Sequence, residues 1–113
     1  MNMKLNDFLK QNASFIINKL DDEFDSHAFI NKFLIEYEKN YVEYLYSYRE
    51  SNGIFRAFHS QIAKFLSVYS EELAIEKSTI EGLNGKVTSD NIKDYESLNQ
   101  KWIISEGVTF EGL

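Results

Sequence analysis

The sequence predicts a mainly α fold, a small helical bundle with a central antiparallel helix pair and either a short β-hairpin or a loop near its C-terminal third. Three observations carry that expectation. Apolar residues recur at intervals of three and four over most of the first 73 positions, the 113 residues contain no proline, and Asn-Gly pairs at 52–53 and 84–85 supply natural breaks. With 43% apolar residues and a length of 113, the chain suits a single domain over 1–113 built on one core.

The first helix is expected from about residue 5 to residue 20, where Leu5, Phe8, Leu9, Phe15, Ile16 and Leu20 share a face and Asn6 is available as a cap. The acidic run Asp21, Asp22, Glu23, Asp25 then reads as a solvated turn, with Asp25 or Ser26 accepting from the free amides of a second helix. That helix carries Ile30, Phe33, Leu34, Tyr37, Tyr41, Tyr44, Leu45 and Tyr48 on one face. Continuous to about Ser51, it would be about 39 Å long. Because Phe29, Ile35 and Val42 lie off this face, it is apolar on more than one side and is expected at the centre of the fold.

Asn52-Gly53 ends it, since both residues tolerate positive φ, and Ile54, Phe58, Ile62, Phe65, Leu66 and Tyr69 mark a third helix ending near Leu73. The short connection makes the second and third helices an antiparallel pair. Beyond Ile75 the pattern weakens. Asn84-Gly85 suits a tight hairpin turn that would set Gly82 opposite Val87, and a fourth helix capped by Thr88 or Ser89 would run through Ile92, Tyr95, Leu98 and Trp102.

Composition narrows the function classes. Eighteen acidic against twelve basic residues give a net charge of -6, which as a whole-molecule field repels polyphosphate, and the lysines are spread without a basic block. Nucleic acid is therefore an unfavoured partner at this level. The absence of cysteine excludes disulfides, thiolate-held clusters and thiol catalysis. No apolar run reaches the ~18 to 20 residues that span a bilayer, and no signal-peptide pattern follows Met1, so no membrane association and a cytoplasmic location are expected.

Candidate chemistry is sparse. Asp21, Glu23, Asp25 and His27 alternate as oxygen and imidazole ligands would, yet a calcium loop starting at Asp21 lacks the glycine and glutamate it needs, since Ser26 and Lys32 stand there. His27 and His59 are the only histidines and would need a nearby carboxylate to act as a base. No nucleophile elbow, zinc-protease motif, phosphate loop or dinucleotide fingerprint is present, so neither catalysis nor a cofactor is expected.

The aromatic row Phe33, Tyr37, Tyr41, Tyr44 and Tyr48 instead suggests an association face, because tyrosine joins a large apolar ring to a polar tip. The leading expectation is thus a non-catalytic protein-interaction module that self-associates as a homodimer. A winged-helix-like DNA-binding regulator is one alternative, with Arg56, Ser60, Gln61 and Lys64 as the polar face of a recognition helix. An acidic inhibitor that occupies a nucleic-acid-binding cleft of another protein is the other.

Overall fold

The computed structural model describes residues 3–77, 86–91, 93 and 96–104. Its elements are α1 (Leu5–Ile17), β1 (Glu23–Asp25), α2 (Ser26–Glu36), α3 (Glu38–Tyr46), α4 (Ile54–Val68), α5 (Ser70–Leu73), β2 (Ile75–Lys77), β3 (Lys86–Asp90) and β4 (Glu96–Ile104). Helices predominate, but a four-stranded antiparallel sheet of order β1-β4-β2, with β3 also on β4, replaces the pure bundle.

The largest correction concerns β4, which covers part of the expected fourth helix. Leu98 and Trp102 are four residues apart, a spacing that fits one helical turn and also two full periods of a strand. In the strand Leu98, Gln100, Trp102 and Ile104 alternate with Ser97, Asn99, Lys101 and Ile103. The β-branched pair Ile103-Ile104 and the Trp102 ring suit the pleated, half-buried surface. Trp102 pairs across to Phe24 on one side and Lys77 on the other, so this one strand joins β1 and β2 at the core.

The acidic turn is corrected in the same way. Phe24 is buried while the flanking Glu23 is exposed, and the three residues form β1 instead of a solvated loop. Lys101 Nζ lies 3.1 Å from Glu23 Oε1 across that pairing. The Asp25 carboxylate then accepts from the Ala28 amide at 2.8 Å and starts α2 as a helix cap.

The single long helix is instead two. Tyr37 leaves the helical region at φ -136° and ψ 53°, although its amide still donates to Phe33 O and its carbonyl accepts from Tyr41 N. No glycine or proline marks the place. The ring is held by α1: it meets Phe8 edge-on at 5.3 Å between centroids, and its hydroxyl donates to Asn12 Oδ1 at 3.1 Å. The second piece ends at Tyr46, so Tyr48 lies beyond it, yet Tyr41 and Tyr48 both pack against the Phe58 ring, at 5.1 and 5.5 Å between centroids.

α4 follows the sequence expectation closely, burying Phe58, Ile62, Phe65 and Leu66. Gly53 precedes it with φ -126°, so the break at Asn52-Gly53 does not use positive φ. The one left-handed non-glycine residue among those described is Ala74, at φ 61°, where the chain turns from α5 into β2. The expected Asn84-Gly85 turn lies outside the described residues. Val87 is seen opposite Asn99 on β4.

Candidate functional site

One face of α4 is committed to the core, and helical geometry therefore turns Arg56, Ser60, Lys64 and Ser67 outward, at intervals of four, four and three. These four form one wall of a groove of about 820 Å³. The opposite wall comes from β2 and the β3–β4 hairpin and carries Lys77, Lys86 and Lys93. Ser26, His27 and Trp102 form part of its lining between them.

Five of the twelve Lys and Arg residues of an acidic chain thus line one groove, and no Asp or Glu is among the described residues that line it. Nor is any of the five in an ion pair among the described residues, whereas Arg49 and Lys101 are. Arg56 lies in the first turn of α4 beside Gly53. A Cβ at that glycine would stand only 3.3 Å from Arg56 Nη2, so the missing side chain leaves space for the guanidinium.

The two histidines also line the groove. The His27 ring is hydrogen-bonded through Nδ1 to Ser89 Oγ at 2.8 Å. The His59 ring is hydrogen-bonded through Nε2 to the Tyr41 hydroxyl and rests against Phe55 and Phe58. Burial, and secondarily the neighbouring His27 charge, lower the His59 pKa from 6.5 to about 4. Burial raises the Tyr41 pKa to about 12. Both side chains are uncharged at neutral pH.

This arrangement has a pH consequence with a definite sign. His59 is neutral in the fold down to about pH 4, while the unfolded chain takes up the proton near 6.5. Between those limits the unfolded state binds more protons, so the His59 contribution is complete above 6.5 and is lost as pH falls toward 4. Urea unfolding at pH 7.5 and 5.0 should show the wild type losing more stability on acidification than His59→Gln. Equal losses would contradict the burial argument.

The five aromatic residues expected at an association face divide differently. Phe33, Tyr41 and Tyr44 are buried in the chain's own core, and Tyr37 and Tyr48 pack partly buried against it. The exposed apolar side chains of α3 are Val42 and Tyr46, at 52% and 64%. In the acidic segment Glu23, Asp25 and His27 hold Lys101, the α2 amide and Ser89 respectively. Among the described residues no group of three or more His, Asp or Glu could hold a metal ion, and no helix is long and apolar enough to cross a membrane.

Gln61 is exposed but is not part of the groove lining, so only three of the four polar residues expected on α4 belong there. Lys77, Lys86 and Lys93 lie on other elements than Arg56 and Lys64, and no block of basic residues in the sequence marks them. Comparison with protein-family models, with curated proteins and with solved structures finds no match to this chain.

Proposed function

We propose that the groove between α4 and the β3–β4 hairpin binds the phosphate backbone of duplex DNA, making the chain a non-catalytic, winged-helix-like DNA-binding module. The observation that carries this reading is the collection of Arg56, Lys64, Lys77, Lys86 and Lys93 on one concave surface whose described lining holds no Asp or Glu. Element order supports it: helix, strand, helices, strand and hairpin follow one another, with a sheet order of β1-β4-β2. In this reading the exposed face of α4 enters the major groove while the hairpin lies along the backbone.

The net charge of -6 disfavours nucleic acid, but at physiological salt a charge is screened over about 8 Å. A phosphate in the groove therefore responds chiefly to the five nearby cations. Five phosphate contacts give a slope of about -4.5 in log affinity against log salt, a loss of about 500-fold between 50 and 200 mM. Fluorescence anisotropy with a randomised duplex pool measures this directly. No binding to the pool at 50 mM salt would end the proposal.

Self-association is a second reading, supported by exposed Val42 and Tyr46 on α3 rather than by the aromatic row. Sedimentation across the micromolar range tests it, and a monomer at every concentration would remove it. The acidic-inhibitor alternative draws on net charge alone.

A further inference from the structure

We infer that Asn99 is a positioning residue that fixes the β3–β4 hairpin, and with it Lys86 and Lys93, at its working distance from α4. The inference rests on the proposed binding of duplex DNA in the groove and assigns a role to a side chain that need not touch the DNA.

Three hydrogen bonds among the described residues define the joint. Asn99 Oδ1 accepts from the His27 amide at 3.0 Å, while its Nδ2 donates to Val87 O at 3.2 Å and to Ser89 Oγ at 3.2 Å. The amide orientation follows from these partners, because the oxygen must face a backbone N–H and the nitrogen a backbone carbonyl. One side chain of β4 thereby grips the opposite strand of its hairpin and the first turn of α2 together. Ser89 Oγ closes a second link to the His27 ring at 2.8 Å.

The His27 amide is among the four N-terminal donors that α2 cannot satisfy internally. Asp25 takes the Ala28 amide from within the same segment, whereas the His27 donor is met by a residue 72 positions away. A local Asn, Asp or Ser would suffice for capping alone. Supplying the partner from the hairpin instead couples the hairpin's placement to the helix layer. A two-stranded ribbon has little independent rigidity. Lys86 stands opposite Gln100, adjacent to this joint in the ladder, and Lys93 lies in the connection beyond β3.

A double-mutant cycle read by DNA binding separates positioning from general stability. Lys86→Ala with Lys93→Ala should flatten the salt slope by about 1.8, the loss of two phosphate contacts. Asn99→Ala should flatten it by a similar amount although no charge has been removed, and Ser89→Ala by less. Adding the two lysine changes to Asn99→Ala should then alter affinity less than 3-fold. Thermal melts of each variant, with binding measured at least 15 °C below its Tm, keep unfolding out of the comparison.

If Asn99→Ala binds with the wild-type slope, or its effect adds fully to that of the lysine changes, the positioning role is overturned even though the groove binds DNA. Absence of salt-dependent binding by the wild type would instead remove the underlying reading of the groove.

Discussion

Trp102→Ala is expected to lower stability by about 3 to 5 kcal/mol, the range for truncating a large buried aromatic side chain. The ring is 1% exposed, and its strand position pairs with both Phe24 and Lys77. Its Nε1 donates to Ser26 Oγ at 3.1 Å, and Ser26 is the only buried polar residue among those described. Removing the indole therefore opens a cavity between the sheet and α2 and also takes the donor from a buried hydroxyl. Against a total of about 5 to 15 kcal/mol for a domain, such a loss leaves a marginal fold.

Trp102→Phe separates the two contributions, since it keeps most of the ring and loses the N–H. Its cost should be about 1 to 3 kcal/mol, the penalty of leaving a buried polar group unpaired. Urea unfolding followed by far-ultraviolet circular dichroism is the appropriate measurement, because Trp102 is the chain's single tryptophan. A Trp102→Ala variant within 1 kcal/mol of wild type would contradict the central place given to β4.

Arg56→Ala, Lys64→Ala and Lys86→Ala combined should weaken duplex binding by about 3,000-fold at 50 mM salt, because counterion release is worth about 15-fold per contact relative to 1 M. The slope should fall from about -4.5 to about -1.8. The three residues are exposed and, among the described residues, unpaired with acids, so their removal leaves the core contacts in place. Lys39→Ala is the control: Lys39 is exposed on α3, outside the groove, and its loss should change the slope little. Equal effects of Lys39→Ala and a single groove substitution would point to general charge rather than a built surface.

The helical part of this fold is legible where a period is sustained. The 3.6-residue repeat of α4 names Phe58, Ile62, Phe65 and Leu66 as buried, though Ile54 at its start is exposed, and of the two cap candidates Asp25 and Ser26 it is Asp25 that accepts from the helix. Short strands leave weaker traces. Phe24 is one apolar residue among acids, and nothing local distinguishes a three-residue strand from a turn until β4 is beside it. Leu98 and Trp102 satisfy two periods at once, and tertiary pairing decides between them. The partners of Tyr37 at the interruption, Phe8 and Asn12, are 29 and 25 residues away.

The candidate site was hidden for a related reason. A basic block requires neighbours in sequence, but Arg56 and Lys64 come from a helix, Lys77 and Lys86 from two strands and Lys93 from a connection. Only the fold brings them together. Averaging charge over the whole chain concealed them further, because the acids that give the net value of -6 belong to other surfaces or to residues outside the described lining.

The convergence of three strands on β4 also orders events during folding. β1 and β2 have to wait for residues 101–104, so the pairing of Glu23 with Ile103 closes a loop of about 80 residues. Helices α1 to α4 are complete by Val68 and can collapse on Phe33, Phe58 and Phe65 beforehand. On a ribosome, β4 emerges after helices α1 to α4, at about 5 to 20 residues per second. The late strand then acts as a clasp. Substitutions within it should accelerate unfolding far more than they slow the initial collapse.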